Sequence, residues 1–572
     1  VNFRRSVQGV VATAATLTLV VAASPQPAVA APAQAEYTVL AADNVSGADA
    51  VAAIARAGGA VVERNDAVGM YRVVAPQNGF TTKVSASRQL AGAAYRTAIG
   101  RAPALAPARA PSLSERSLVE RENAGPAAAA DLSAQRHKPP AVGMDPLDSL
   151  AWGLTMVRSD LARQVNAGDR GVSVGILDTG VDASHPDISP NFSWGLSRNF
   201  APDIPEVDGP CEVASCLDPV GVDDGGHGTH VAGTIGAAAN GIGVSGVAPK
   251  VSLVELKGGQ DSGFFFLEPV VNALTYAGDA GIDVVNMSFF VDPWLFNCTA
   301  NPADSPEAQA QQRTIITGMN RALRYAHRHG VTLVAALGNQ NENLGSPVPD
   351  TISPDYPPGN EYTRTIDNAT CTSLPTEGPH VIAVSAIGPS TKKSDFSNYG
   401  TEQISVAAPG GWFRDGFGTP TFRTNGNLIL STFPKSVLQA DGQVDADGNI
   451  VPGNEGTVFK DCTAAGVCGY YIYLQGTSMA SPHAAGVAAL IVSRFGHRDP
   501  DHRGTLTLDP DRVESVLLRT AAEHACPNPP LQSYANEGRP PAYDALCTGT
   551  PRFNGFYGFG IVDAYAAVTA HL

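Results

Sequence analysis

Hydrophobic positions along the chain fall into two textures. Over residues 37–75 they come in short periodic blocks. Residues 37–42 alternate like a strand, 46–58 place Ala, Val and Ile at helical spacing behind Ser46, and 60–64 and 70–75 read as two further strands. These blocks predict a small α+β unit. Residues 101–142 then turn rich in Ala, Pro and Arg, a composition with too little to bury, and read as a linker. From Asp145 the apolar positions form continuous short runs at 172–177, 251–256, 284–287, 331–336, 381–386 and 404–407. Unbroken runs fit strands buried on both faces. Helical patterns lie between them at 269–280 and 317–329, and Ala-rich helical stretches begin after His227 and Ser478. Strands alternating with helices predict an α/β body, a largely parallel sheet with helices on both faces. The Pro/Asp/Gly-rich stretches 201–225, 292–310, 341–375 and 411–470 read as loop insertions.

The beginning of the chain adds a compartment. Arg4 and Arg5 precede an apolar run over 7–23, and Ala28-Val29-Ala30 is a small-x-small cleavage site. Residues 1–30 therefore read as a secretory signal, which predicts a secreted, extracellular protein with no membrane attachment once the signal is removed. Cysteines at 211, 216, 298, 371, 462, 468, 526 and 547 fit an exported chain, and none has zinc or redox spacing. The close pairs 211/216 and 462/468 read as locally stapled loops.

Of the 572 residues, 43% are hydrophobic and 16% charged, which excludes a disordered acidic chain. The net charge of −16 argues against a binder of nucleic-acid phosphates. That charge is uneven: residues 31–140 carry 12 bases against 9 acids, whereas residues 141–572 carry −21. A slightly basic leader facing an acidic body is compatible with an intramolecular complex.

Three strings carry candidate chemistry. Ile176-Leu177-Asp178-Thr179-Gly180 puts a carboxylate at the end of a buried strand, where it can orient an imidazole. Alone it is weak, since strand-end Asp residues are commonly structural. His227-Gly228-Thr229-His230-Val231-Ala232-Gly233 puts a His before a Gly/Ala-rich helix whose small side chains leave the ring accessible. Alone, the string is better explained by a helix-capping His; a metal pair with His230 is a thinner alternative, since i,i+3 histidines here lack an H-E-x-x-H context. Gly476-Thr477-Ser478-Met479-Ala480-Ser481-Pro482-His483 opens a helix on a Ser, whose own N–H joins the unpaired donors of the first turn. Gly171-Val172-Ser173-Val174-Gly175 matches a nucleophile-elbow pattern but lies inside a strand with no helix after it.

Together, in the order Asp, His, Ser, these strings resemble the subtilisin-like serine proteases (subtilases). Val285-Asn286-Met287-Ser288, Ala335-Ala336-Leu337-Gly338-Asn339, Phe396-Ser397-Asn398-Tyr399-Gly400, Ala407-Ala408-Pro409-Gly410 and Tyr557-Gly558-Phe559-Gly560-Ile561-Val562-Asp563-Ala564 resemble further family segments. The likeness runs from about residue 145 to the C-terminus. Residues 36–100 resemble the inhibitor prodomain of the family, although its last strand is not clear after Ala94. The implied division is a signal over 1–30, a prodomain over 31–100, a linker with or near the processing site over 101–144, and a peptidase domain over 145–572.

The resemblance implies roles residue by residue. Ser478 is the nucleophile, His227 the general base and acid, Asp178 its orienting carboxylate, and Asn339 an oxyanion donor with the Ser478 N–H. Ser288, Phe289, Phe290, Ala336 and Gly338 line the substrate cleft. Phe289-Phe290 stands where the family has Gly, so Phe290 either narrows the pocket or packs outward under the following insertion. Asp187, Asn240, Ile242 and Val244, with Asp148, resemble a structural Ca²⁺ site, and no catalytic cofactor is implied. The implied protein is a monomeric, secreted, self-processing serine endopeptidase. Its partners are protein or peptide substrates and its own prodomain, acting as an intramolecular inhibitor. An inactive subtilase-like scaffold and a maturation protease of narrow substrate range are the alternatives.

Overall fold

The structure, a computed structural model, describes residues 33–95, 119–123, 145–346, 348–357 and 359–571. The signal read over 1–30 and most of the linker lie outside the described residues.

The leader folds as β1 (Gln34–Ala41), α1 (Gly47–Ala57), β2 (Ala60–Asn65), β3 (Met70–Pro76), α2 (Phe80–Ser85) and β4 (Leu90–Tyr95). Its strands form an antiparallel sheet in the order β2-β3-β1-β4. Ser46 caps α1 by accepting from the Asp49 N–H at 3.1 Å, and Gly58 ends it with a positive φ of 97°. Strand β4 (LAGAAY) is too rich in small residues to announce itself by alternation. It is held by pairing with β1.

In the body, β5 (Ser173–Asp178), a short β6 (Arg198–Asn199), β7 (Ser252–Lys257), β8 (Val284–Met287), β9 (Thr332–Ala336), β10 (Val381–Ile387) and β11 (Val406–Pro409) form one parallel sheet. Its order is β11-β10-β9-β8-β5-β7-β6. Helices α3 (His227–Gly236), α6 (Thr477–Phe495) and α7 (Pro510–Thr520) share one core with one face of the sheet, including Val174, Ile176, Ala485 and Val513. Helices α4 (Leu267–Asp279) and α5 (Pro306–Arg328) cover the other face with Leu177, Val285 and Leu333. Ligands of such sheets lie in the crevice outside the carboxyl ends of the strands, where chain order reverses. Here that is the junction of β5 and β8.

Two stretches read as loops hold structure. Helix α5 starts at Pro306, eleven residues before the predicted start. Its first turns (PEAQAQQRT) are too polar to show an apolar stripe and depend on the Ser305 cap. Residues 411–470 contribute most of a three-stranded sheet, β12 (Ile429–Thr432), β13 (Val458–Cys462) and β14 (Cys468–Leu474), in the order β12-β14-β13. All eight cysteines are paired, as 211–216, 298–371, 462–468 and 526–547.

The leader docks on α4 and α5. The Asn65 amide donates to Asn272 Oδ1 and Thr275 Oγ1 at 2.9 and 2.8 Å, and Arg321 bonds the Ala41 and Val68 carbonyls and Asp43. Leu40, Val68 and Met70 join the apolar core beneath.

Candidate active site

Asp178 ends β5 and is completely buried. Its Oδ1 accepts from the Thr179 N–H at 2.8 Å and lies 2.7 Å from His227 Nδ1. That contact orients the ring and leaves Nε2 facing the cleft. His227 opens α3, and the next position must be glycine: a Cβ on Gly228 would lie 2.0 Å from the Gly180 carbonyl oxygen. The close approach of α3 to the turn after β5 is what brings His227 to Asp178. His230 takes no part. Its ring is buried, with Nε2 3.1 and 3.3 Å from the Ile429 and Ile472 carbonyls, so the metal pair is replaced by a structural histidine.

Ser478 is the second residue of α6, behind Gly476, whose φ of 150° favours glycine. Its hydroxyl donates to the Ser288 carbonyl at 3.3 Å. Asn339 Oδ1 accepts from the Thr477 N–H at 2.9 Å and the Thr477 hydroxyl at 2.8 Å, while the same hydroxyl accepts from the Gly338 N–H at 3.0 Å. With its oxygen so occupied, Asn339 directs Nδ2 toward Gly476. A Cβ there would lie 3.5 Å from it. Donors of α6 and the Asn339 amide are thus gathered beside one hydroxyl, the arrangement that stabilises an oxyanion. The Ser288 side chain is buried and bonds Ser481 Oγ, the Ser478 carbonyl and the Asn286 amide, and so clamps the start of α6.

Beside Ser478 lies a small pocket lined by Ser288–Phe290, Ala336–Gln340 and Thr376, among others. Phe289 is buried and stacks on Phe265 at 4.1 Å. Phe290 is half-buried; it lines the pocket and also packs on the cluster of Leu295, Phe296 and Leu344. The ring thus touches both the pocket and the insertion that follows it.

Residues 119–123 of the linker lie in the same cleft. Gln475 donates from its N–H to the Glu120 carbonyl at 3.2 Å and from Nε2 to the Val119 carbonyl at 3.0 Å. The Glu120 carboxylate is 3.5 Å from His227 Nε2. Burial works against charge on His227, but Asp178 and then Glu120 outweigh it and push the ring up to about 10. The sequence places this segment only in the 101–144 linker and Thr477 only within the serine string, and it does not single out Gln475.

The loop implied as a Ca²⁺ site comes together in part. Asp187 accepts from Tyr471 OH at 2.8 Å, the Val244 N–H at 3.2 Å and the Asn240 amide at 3.2 Å. Asp145 accepts from the Gly241 and Asn240 N–H groups. Burial raises Asp187 to about 8 and Asp145 to about 6, each raised further by another Asp nearby. Crowded, buried oxygen donors of this kind suit Ca²⁺. Asp148 does not fit: its oxygens are taken by Ser245, the Asp145 N–H and Arg163. Ile242 and Val244 remain on the loop between Asn240 and Ser245.

Comparison with known proteins agrees with this architecture. A model of the subtilase family matches residues 169–560. Subtilisin DY of Bacillus licheniformis is 27% identical over 65% of this chain and 92% of its own. The major intracellular serine protease of Bacillus subtilis is 28% identical over 61% of this chain and 76% of its own. Among solved structures, the epidermin leader peptide processing serine protease of Staphylococcus aureus aligns over 94% of this chain and 98% of its own, with a TM-score of 0.57 at 19% identity. Fervidolysin from Fervidobacterium pennivorans aligns over 95% and 62%, with a TM-score of 0.53 at 20% identity.

Proposed function

The chain belongs to the subtilase family and is a serine-type endopeptidase; from that premise we propose that Asp178, His227 and Ser478 form its catalytic triad. The observation that carries this is the 2.7 Å contact between buried Asp178 and His227 Nδ1 in the cleft where Ser478 opens α6. In this reading the Ser478 hydroxyl leaves the Ser288 carbonyl and attacks the scissile carbonyl. His227 Nε2 accepts its proton and then delivers it to the leaving amine, while Asp178 holds the Nδ1–H tautomer and stabilises the imidazolium. Asn339 Nδ2 and the Ser478 N–H receive the oxyanion.

The enzyme is made as a zymogen. The α+β leader on α4 and α5 is the inhibitor prodomain, and the linker whose residues 119–123 lie against Gln475 and His227 is the processing segment. The leader is held on the body by its own contacts, and Glu120 of the linker faces the proposed general base. The signal read over 1–30 and four disulfides support export. Asp187 and Asn240, with Asp145 in place of Asp148, would hold a structural Ca²⁺ that neutralises the crowded carboxylates.

The test is labelling of the mature protein by an active-site serine phosphonate, beside Ser478→Ala. Labelling at Ser478 in the wild type, with peptidase activity lost by orders of magnitude in the variant, is the expected result. Absence of labelling favours the inactive scaffold.

A further inference from the structure

One cluster of charges in the cleft has no part in the steps above. The Glu122 carboxylate lies between two arginines and an amide. Arg414 reaches its Oε1 through Nε at 2.8 Å and through a terminal nitrogen at 2.6 Å. Its Oε2 receives Arg539 at 3.3 Å and Gln475 Nε2 at 3.3 Å. We propose that Arg414, Arg539 and Gln475 form an acid-selective subsite that binds an Asp or Glu side chain of the substrate on the leaving-group side of the scissile bond. Glu122 holds that place in the uncleaved chain. The proposal rests on the peptidase reading above and specifies one of its subsites.

The cradle is built independently of its occupant. Arg539 is bonded to the buried carboxylate of Asp395 at 2.5 Å and lies over the Tyr543 ring at 4.7 Å. Arg414 donates a further bond to the Glu537 carbonyl at 3.0 Å. The Phe413 N–H donates to Gln475 Oε1 at 2.7 Å, which fixes the amide with Nε2 toward the cleft. With Glu122 in place both guanidinium side chains are less than one-fifth exposed. Asp395 balances one of the two cations, and the departure of Glu122 leaves the other facing the groove. Paired planar forks match a carboxylate and do not match an amide of the same shape. On a body carrying −21 over residues 141–572, an acidic peptide is attracted only by a local feature of this kind.

Position assigns the side of the bond. Gln475 precedes Ser478 by three residues and bonds the main chain of the lying segment, an interaction blind to sequence. In the proposed peptidase reading the pocket of Ser288–Phe290 and Ala336–Gly338 takes the acyl-side residue, and neither arginine lines it. A substrate entering that pocket and continuing past His227 meets Gln475 and then the arginines.

The experiment compares kcat/KM of the mature enzyme on matched peptides with Glu or Gln scanned through positions before and after the cleaved bond. The expected result is a preference for Glu of roughly 10- to 100-fold at one position after the bond. Arg414→Gln should bring that ratio toward one, and Arg414→Lys should restore part of it. Arg539 is left in place because its loss would strand Asp395. A Glu/Gln ratio near one throughout, or a preference that Arg414→Gln leaves intact, overturns the subsite while cleavage of both peptides leaves the peptidase reading standing. No cleavage of any peptide together with no phosphonate labelling of Ser478 overturns both.

Discussion

Glu120 meets His227 at 3.5 Å, on the ring nitrogen opposite the one that faces Asp178. The imidazole is thus held between two carboxylates, which together favour its charged form. In the proposed triad, a linker glutamate placed there would oppose proton uptake from Ser478 while the chain is uncut.

Titration of His227 follows. Burial lowers it, and the two carboxylates together raise it to about 10. A raised histidine contributes stability that is complete below its ordinary range and is lost as pH rises through about 10. In the uncut Ser478→Ala protein, Glu120→Gln should lower the His227 titration seen by NMR of labelled histidine. An unchanged titration would remove Glu120 from the site.

Thr477 sets the direction of the Asn339 amide by bonding its oxygen twice. Thr477→Val deletes the side-chain bond and the acceptor for the Gly338 N–H. It should lower kcat by about 10-fold, a fraction of the 10²–10³ expected for losing the donor itself, with little change in KM. A rise in KM at constant kcat would instead point to a role in substrate binding.

Phe290 both lines the pocket and packs on Leu295 and Phe296. Phe290→Gly should raise kcat/KM on a substrate with Phe before the scissile bond relative to one with Ala, by roughly 10- to 200-fold if the ring fills the pocket. Equal changes on both substrates would assign the ring to packing alone.

Calcium bound only by the folded protein stabilises it by mass action. Chelation should lower Tm, and Asp187→Ala should reduce the difference between the curves with and without chelator. Identical melting curves in calcium and in chelator would exclude the ion.

Asp283 is buried just before β8, accepting from the Ser173 N–H at 2.8 Å, and burial pushes it up to about 8. The folded state therefore holds a proton that the unfolded state has released. This contribution is complete below the ordinary carboxylate range and is lost as pH rises through about 8. Asp283→Asn keeps an acceptor for Ser173 without the charge. The variant should melt above the wild type at pH 8 and show a smaller fall in Tm between about pH 4 and 8. Parallel curves would contradict the shift.

Much of this protein is readable along the chain because the information is local. The apolar runs that become β5, β7, β8, β9 and β10 need no partner to be recognised, since strands buried on both faces are mostly apolar and their few polar positions, such as Glu255 and Asn286, do not break the run. Asp178, His227 and Ser478 sit in strings whose small residues have steric reasons, as Gly228 shows against the Gly180 carbonyl. The near cysteine pairs 211–216 and 462–468 are legible for the same reason. The polar start of α5 and the small-residue strand β4 were not, because a Ser cap and cross-strand pairing, rather than periodicity, hold them. The pairs 298–371 and 526–547 depend on which segments the fold brings together. Glu122, Arg414, Gln475 and Arg539 come from four separate segments, and no spacing relates them. Only the tertiary structure could gather them, because the charge complementarity that joins them acts through space and leaves no periodic trace in the chain.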